Sequence, residues 1–392
     1  MGNWFLKFKQ LSIRKKLLIL IVILTVLGLI FIITTRRREI PPEETLKVTK
    51  PLPPGGLTSS GFRELAEQKE TPGGKLFEKG RLIIDDEVSF STLSLDKERH
   101  YYFSRAEEGI MESSLEGRDI EEIFKSRFEC INDILWSFQK DKVILSTDQG
   151  FYFLDLKTNQ ISPLSGNITN IIWSSDGTKI AYQYLDRLAG YNNISISNPD
   201  GSDWYKLINV KSEGPSSQVV LSIWSPDSNY LYFTSESFDV SGGNFKRVNL
   251  DTGQIEDLSD WENVAGILYS PDGSKILYVT LDYNEKYQIV PNVRVMKADS
   301  TDKKDTGIDA YLHKCIWKKD SKTIICALSE DINNMTSNDI LIELDLETGQ
   351  KKQLTAIEEG QPINVKDLIL SQDEKTLFFK NNIDGKLYSL EI

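Results

Sequence analysis

The sequence predicts an all-β protein, a seven-bladed β-propeller that follows a single N-terminal transmembrane helix and a proline-rich linker. Three observations carry this prediction: a unit of about 45 residues repeats, each unit contains four β-rich segments, and the last unit lacks one strand. A strand of the missing kind precedes the first unit. Six or eight blades agree less well with the number of copies, and a β-sandwich with chance similarity between its hairpins is the rival architecture.

The first half of each unit reads as a β-hairpin in which a strand ends in an aromatic residue, a polar turn follows, and a second strand returns. In the turn "SPDG", proline presets φ, aspartate bonds its own backbone, and glycine adopts positive φ. Five copies are plain and two are weaker, at Ile171–Tyr182, Ser222–Phe233, Ile267–Tyr278, Cys315–Cys326 and Leu368–Phe379, then Ile134–Leu145 and Leu93–Phe103. One turn position recurs as Asp176, Asp227, Asp272, Asp320 and Asp373, which predicts turn geometry for these carboxylates rather than catalysis.

The second half of each unit reads as another hairpin, seen best at Phe151–Ser165, Asn244–Ser259 and Leu341–Thr355. Four strands at this spacing are typical of a propeller blade. A lone blade cannot bury both faces, so we expect stacked blades with an aromatic side chain between neighbours. That aromatic recurs at Trp136, Trp173, Trp224, Tyr269 and Trp317.

The two ends of the repeat region predict that the ring is closed by the N-terminal strand. After the last plain hairpin only one more strand follows, Gly385–Ile392. The segment "GGKLFEK", Gly73–Lys79, resembles the fourth strands of other units and precedes the first unit. If it completes the last blade, no sheet edge stays open at the junction. The propeller then spans residues 73–392 in seven units of about 46 residues.

The "WSPDG"-type turn, the apolar strand after it and the "DxxTG" turn before a Leu-Thr strand resemble the TolB-like β-propeller repeat, a distant relative of the WD repeat. The resemblance covers about residues 85–392. It implies a binding platform, or an accessory domain of a peptidase. A serine hydrolase would need a Gly-x-Ser-x-Gly elbow and a following histidine, and the sequence contains no such elbow. We therefore predict no catalytic residues and no cofactor.

Histidine and cysteine are too few to suggest a metal centre. The two histidines, His100 and His313, are predicted to be packing or surface residues, and no cluster of zinc-type ligands occurs in the sequence. Cys315 and Cys326 fall opposite one another if their hairpin has the register of its neighbours. The sequence leaves two interpretations open, a cross-strand disulfide or two small core residues.

The N-terminal region differs from the remainder in charge. Residues 1–38 contain eight Lys or Arg and no acid, which leaves −20 of charge on the remaining chain against −12 overall. An acidic body argues against nucleic-acid binding. Leu17–Thr35 contains no charge and would span about 28 Å as a helix, enough to cross a bilayer.

We expect four regions: a basic cytoplasmic segment at 1–16, the anchor at 17–35, a proline-rich linker at 36–72, and the propeller. The greater basic charge before the anchor favours a cytoplasmic N-terminus and a propeller outside the cytoplasm.

Candidate partner-binding residues are predicted in the long loops between the second and third strands of blades three to six. These loops combine acids with aromatics, while the opposite turns are richer in lysine. The candidates are Tyr184, Asp186, Tyr191, Glu236, Phe238, Asp239, Asp282, Tyr283, Glu285, Tyr287, Glu330 and Asp331. Loops carry function on a rigid scaffold, and such a mixture suits a basic or hydroxyl-rich partner, although solvated acidic loops explain it as well.

Two functions agree with these features. The first is a membrane-tethered interaction platform of the cell envelope that binds a protein, a peptide or a glycan. The alternative is an envelope enzyme, a glycan hydrolase or lyase, with its active site on the propeller face. Converging charged side chains at the central channel would favour the enzyme, and exposed aromatics around a shallow rim would favour binding.

Overall fold

Seven antiparallel sheets of four strands each follow one another along the chain, which confirms the all-β, seven-bladed propeller predicted from the repeat. The computed structural model describes residues 80–210, 219–235, 245–258, 261, 263–285, 287–329, 338–354 and 363–392. Within these residues, no helix has the length and hydropathy needed to span a bilayer. The predicted anchor Leu17–Thr35 and the linker lie outside the described residues.

The blades are numbered 1 to 7 in the order in which their innermost strands occur in the chain. Blade 1 comprises β2 (Val88–Leu93), β3 (Arg99–Ser104), β4 (Gly109–Ser114) and β5 (Glu121–Lys125), and blade 2 comprises β6 (Ile131–Trp136), β7 (Lys142–Thr147), β8 (Gly150–Asp155) and β9 (Gln160–Pro163). Blade 3 comprises β10 (Ile168–Trp173), β11 (Ile180–Asp186), β12 (Tyr191–Ser197) and β13 (Tyr205–Asn209), and blade 4 comprises β14 (Val219–Trp224), β15 (Tyr230–Ser235), β16 (Phe245–Asn249) and β17 (Ile255–Asp257).

Blade 5 comprises β18 (Val264–Tyr269), β19 (Lys275–Tyr283), β20 (Ile289–Lys297) and β21 (Lys304–Asp309). Blade 6 begins with a 3-10 helix (Leu312–Lys314) and continues with β22 (Cys315–Trp317), β23 (Thr323–Ser329), β24 (Asp339–Asp345) and β25 (Lys351–Gln353). Blade 7 comprises β26 (Val365–Leu370), β27 (Thr376–Asn381), β28 (Leu387–Glu391) and, from the start of the described chain, β1 (Gly80–Ile84).

The ring is closed by β1, which takes the fourth position of blade 7 in the order β1-β28-β27-β26. The closing strand thus lies directly after Gly73–Lys79, the segment predicted for this role, which is outside the described residues. A bulge between Leu82 and Ile84 lets two consecutive residues, Ile83 and Ile84, enter the core between blades 7 and 1. The N-terminal strand therefore joins the two ends of the repeat.

The first strand of each blade lies at the centre of the ring, because first strands contact one another between adjacent blades. Two faces follow from the strand directions. The turn face carries the connections from first to second and from third to fourth strands. The loop face carries the connections from second to third strands and those between blades. Gly80 and Ile392 both lie at the turn face, where the Ile392 amide donates to the Lys375 carbonyl over 2.9 Å.

The repeated aspartate shapes its turn, as predicted. In blade 5 the Ser270 hydroxyl donates to Asp272 over 2.7 Å, and its oxygen accepts the Lys275 amide over 2.9 Å. Asp272 also accepts the Ser274 amide over 2.9 Å. These bonds to the ionised form hold the pKa of Asp272 below its usual range. Equivalent serine–aspartate pairs recur at Asp96, Asp176, Asp227 and Asp373.

The repeated tryptophan joins neighbouring blades by a hydrogen bond as well as by packing. The indole Nε1 of Trp136 donates to the Phe90 carbonyl over 2.8 Å, and that of Trp173 donates to Leu135 over 2.8 Å. Trp317 of blade 6 repeats the contact, to Leu268 of blade 5 over 3.2 Å. These three tryptophans therefore bind the inner strand of the preceding blade, and their rings fill the space between the sheets. Trp224 is also buried between blades, but its Nε1 makes no hydrogen bond to the described residues.

Candidate partner-binding face

Two hairpins extend further on the loop face than those of blades 1 and 2. In blade 3, pairing continues to Asp186 opposite Tyr191, and in blade 5 it continues to Tyr283 opposite Ile289. Three aromatic side chains at these tips are open to solvent: Tyr191 is 60% exposed, Tyr283 49% and Tyr287 88%. Exposed aromatics on rigid hairpins present apolar area with little further loss of entropy on binding.

The predicted aspartates of these hairpins are engaged within the protein. In blade 3, Asp186 accepts the amides of Leu188 and Ala189 over 3.0 and 2.9 Å, which shapes the hairpin tip. The Tyr184 hydroxyl accepts a hydrogen bond from Asn167 over 2.9 Å. Tyr184 and Asp186 therefore support the hairpin, and the exposed Tyr191 is the side chain that it presents.

Blade 5 shows the same division of roles. Asp282 accepts from the Asn292 amide group over 2.6 Å and lies 3.5 Å from the Arg294 guanidinium. Tyr283, Glu285 and Tyr287 are exposed at the tip. The carboxylates of Asp186 and Asp282 already serve internal contacts. They are therefore less available to a basic partner than the predicted acidic loops implied.

The other predicted candidates, Glu236, Phe238, Asp239, Glu330 and Asp331, lie outside the described residues.

The turn face, in contrast, is joined across blades by its own side chains. The Lys275 ammonium of blade 5 donates to the Ser321 carbonyl of blade 6 over 2.7 Å. The Lys351 ammonium of blade 6 donates to the Gly307 carbonyl of blade 5 over 2.8 Å. The lysines that enrich this face therefore act at least in part as structural contacts between blades, which leaves the loop face as the better candidate for recognition.

The centre of the loop face is the mouth of the channel, formed by the start of each first strand. We call the second residue of these strands the mouth position; in blade 6 the corresponding residue belongs to the 3-10 helix. One residue from each blade occupies it: Ser89, Asn132, Thr169, Val220, Ala265, His313 and Lys366. Bulges in the register with the second strand occur in every first strand except β22. Such bulges turn side chains away from the regular ladder.

Charged groups gather on one side of the mouth. Partial burial raises the pKa of Asp133, repulsion from the Asp367 carboxylate adds to the rise, and Lys366 opposes it. Partial burial also lowers the pKa of His313, with Lys314 and Lys366 adding to the fall, so the imidazole is neutral at pH 7. Lys366 and Asp367 of blade 7 thus influence the pKa of groups in blades 2 and 6.

A buried ion pair fixes two of these strands. The Lys314 ammonium lies 2.6 Å from Asp339 and donates to the Ser329 hydroxyl over 2.9 Å. The same carboxylate accepts the Val365 amide over 2.7 Å. Because Lys314 follows His313 and Val365 precedes Lys366, the pair holds both mouth residues in place.

The penultimate residue of every first strand is half-buried, and six of the seven are Leu or Ile: Thr92, Leu135, Ile172, Ile223, Leu268, Ile316 and Ile369. The six aliphatic side chains pack against the hydrophobic cores between blades. They therefore belong to the contacts that join neighbouring blades at the inner strands.

Sequence reasoning missed the mouth and assigned His313 only to packing or surface. A usable signal exists: counting four residues back from the repeated aromatic gives the mouth position in every copy that has one. What the pattern does not reveal is which copies contribute charge to the same side of the ring.

Among the described residues, no group of three His, Cys, Asp or Glu side chains is placed to hold a metal ion.

Comparison with solved structures places the fold among β-propellers. An oligogalacturonate lyase from Vibrio parahaemolyticus matches at 12% identity and TM-score 0.60, over 80% of this chain and 93% of that one. An oligogalacturonate lyase in complex with manganese matches at 12% identity and TM-score 0.58, over 77% and 88%. The β-propeller domain of Cps50 (Swd1) from Myceliophteria thermophila matches at 10% identity and TM-score 0.55, over 80% and 99%.

These similarities concern the fold alone, because the sequence identities are low. The β-propeller architecture that the resemblance implied is confirmed. No protein-family model matches the chain, and no curated protein matches it in sequence.

Proposed function

We propose that this protein is an interaction platform, tethered to a membrane by Leu17–Thr35, whose propeller lies outside the cytoplasm and binds an envelope protein, peptide or glycan. The exposed tyrosines on the two extended hairpins of the loop face, Tyr191, Tyr283 and Tyr287, carry this proposal. The described chain begins at Gly80 on the turn face, opposite the loop face.

The binding proposal is tested at the tyrosines of blade 5. The double substitution Tyr283→Ala with Tyr287→Ala should weaken partner capture at least about tenfold, in the range of an aromatic hot spot, without lowering the melting temperature. Photo-crosslinking in native membranes, followed by quantification of the captured partner, measures the change.

The matched control is Trp204→Ala with Tyr205→Ala, an exposed aromatic pair at the start of the outer strand of blade 3 on the turn face. This variant should capture the partner as the unsubstituted protein does. Loss of capture in the control, with retention in the Tyr283 and Tyr287 variant, would assign binding to the turn face instead.

The tether is tested separately by topology. A reporter that is active only in the cytoplasm, fused after Ile392, should be inactive, because the charge distribution around Leu17–Thr35 favours an external propeller. Activity of this fusion would reverse the proposed orientation without bearing on which face binds a partner.

A second candidate function is a glycan lyase or hydrolase. The observation that favours it is the group of Asp133, Asp367, Lys366 and neutral His313 at the channel mouth, which can donate and accept protons. Two of the proteins with a similar fold are oligogalacturonate lyases. Incubation with oligogalacturonate, with and without manganese, tests this reading through the ultraviolet absorbance of an unsaturated product. No absorbance change, or a change that persists in Lys366→Gln, would exclude this lyase chemistry at the mouth.

A further inference from the structure

We propose that the junction between blades 7 and 1 is an acid-sensitive switch: His100 takes up a proton there in mild acid, and the closing strand β1 then separates from β28. This inference goes beyond the proposed partner binding, because it concerns how the ring is closed rather than what it binds. It rests on three features: the place of His100 in the repeat, a cavity beside it, and the way in which β1 is held.

His100 occupies a position that is aliphatic in every other blade. It lies opposite Leu93, the last residue of the first strand of blade 1. Its counterparts, which lie opposite the last residue of each other first strand, are all 0% exposed: Val143, Ile180, Leu231, Ile276, Ile324 and Leu377. His100 is equally buried, so blade 1 alone has an ionisable group at this point of the core.

The imidazole replaces a missing aromatic side chain. In blades 2 to 6 a tryptophan or tyrosine fills the space toward the preceding blade, but blade 1 has Leu93 at that position. The His100 ring instead meets Phe378 of blade 7 edge-on, with the ring centroids 4.5 Å apart. The neutral ring thus fills the space between blades 7 and 1, whereas a charged ring would be held there without water.

The core around His100 offers little to a charged ring. Within the described residues, neither ring nitrogen makes a hydrogen bond of normal geometry. The Leu115 backbone and the Glu116 carboxylate favour the charged ring, but burial outweighs both and lowers the pKa of His100 to about 4. Tyr102 of the same core stays neutral, because burial raises its pKa to about 12. Uptake of a proton near pH 5 is therefore coupled to exposure of the His100 ring.

A cavity of about 520 Å³ opens beside the ring on the turn face. Its walls include Phe378, Leu115 and Ile83 of β1, so the side chains that cover His100 also face this space. The charged groups around the cavity come from each element packed at the junction: Arg81 of β1, Lys97 and Glu98 after β2, Glu116 after β4, Asp373 after β26, and Glu391 of β28. Carboxylates outnumber the cationic groups, so an imidazolium that leaves the core enters an acidic environment.

Strand β1 is held to blade 7 by pairing and packing alone. In every other blade a hairpin connects the outer strand to the third strand, but β1 comes from the other end of the described chain. Its pairing with β28 is short and interrupted by a bulge, from Gly80 opposite Leu390 to Ile84 opposite Leu387. Ile84 packs in the core that His100 and Phe378 share, so loss of that packing weakens the hold on β1.

Amide hydrogen exchange of the full-length protein at pH 7 and pH 5, corrected for the intrinsic effect of pH, tests the proposal. The opening equilibrium of β1 and β28 should rise at least about tenfold on acidification, because the open state binds the proton more readily. At pH 5 these strands should open at least about tenfold more often than β14 and β15 of blade 4. No rise, or opening of β1 in step with blade 4 at pH 5, overturns the proposal, since the latter would mean global unfolding.

Substitution of each histidine decides whether His100 is the group responsible. His100→Leu introduces the residue that blades 4 and 7 have at this position, and β1 should then open equally at pH 7 and pH 5. His100→Phe, which keeps a ring against Phe378, should behave in the same way and serves if the leucine variant does not fold. The matched control is His313→Gln, at the exposed position of the second histidine, which should retain the opening in acid. Acid-induced opening in the His100 variants, or its loss in the control, overturns the assignment.

Discussion

At the scale of single residues, the buried pair of Lys314 and Asp339 illustrates how charge is used inside this propeller. Removal of one member leaves the other buried without compensation, so Lys314→Met should reduce the free energy of unfolding by about 3–5 kcal/mol. The matched control is Lys322→Met, which breaks an exposed pair with Glu347 of 3.0 Å and should cost less than about 1 kcal/mol. Urea denaturation measures both values, and a similar small loss in the two variants would contradict a structural role for the buried pair.

His100 is the second residue whose burial has a measurable consequence. It lies in the core between blades 7 and 1 with its ring 4.5 Å from that of Phe378. Within the described residues no partner of its ring nitrogens meets the distance and angle of a hydrogen bond, and the Leu115 backbone is the group that would accept one from the charged ring. Burial lowers the pKa of His100 to about 4, while the Leu115 backbone and Glu116 oppose the fall only in part.

Stability should therefore depend on pH through His100. The pKa is lower in the folded than in the unfolded protein, so the unfolded state binds the proton more readily between the two values. The contribution is fully present above about pH 6.5 and is lost as pH falls toward 4, by roughly 3 kcal/mol. His100→Phe removes this pH-dependent contribution to stability. The difference in unfolding free energy between the variant and the unsubstituted protein should therefore change between pH 6.5 and pH 4. A constant difference from pH 7 to pH 4 would disprove the assignment.

At the scale of elements, the hairpins were predictable because two signals agree in each: the period of β-rich segments and the chemistry of the turn. Asp272 and its counterparts occupy the predicted turn position, and Trp136 and Trp173 lie between blades as expected. The exact closing strand was not predictable from the pattern. Both "KLFEK" and "GRLII" offer apolar residues at strand spacing, and the choice depends on pairing with β28, more than 300 residues away.

The candidate site was predictable only in outline, because loop length and aromatic content reveal exposed hairpin tips. Whether Asp186 and Asp282 stay free depends on partners such as Asn292, which a pattern of loop residues does not include. The mouth depends on which strand is innermost and on how seven blades meet, so its charged side emerges only from the closed ring.

The hairpin of blade 6 is the one element with a covalent link. Cys315 pairs with Cys326 in the predicted register, and the structure joins them by a disulfide with the Cα atoms 4.1 Å apart. We expect intact mass spectrometry after alkylation of the unreduced protein to show one modified thiol, at Cys130, and three after reduction. Three modified thiols without reduction would leave Cys315 and Cys326 as small core residues.

At the scale of the whole molecule, the ring depends on a strand that is distant in sequence from the blade it completes. Blade 7 takes three strands from the C-terminus and β1 from the start of the described chain, so the fold is complete only when both ends are paired. Closure by a strand from the opposite terminus leaves no open sheet edge at the junction between first and last blade. The core at this junction includes Ile83, Ile84, Val88 and Phe378.

Closure is tested most directly within β1. Ile84→Ala should lower the free energy of unfolding by about 2–4 kcal/mol, because it empties a buried position between blades 7 and 1. Leu82→Ala, on the same strand but 42% exposed, is the matched control and should cost less than about 1 kcal/mol.

Deletion of β1 should be more severe than Ile84→Ala, since it also unpairs β28 along its length. Chains that begin at residue 80 and at residue 85 can be compared by thermal denaturation. The first should melt cooperatively near the temperature of the full-length protein, and the second should melt far lower or fail to fold. Equal melting temperatures for these two chains would mean that β1 does not close the ring.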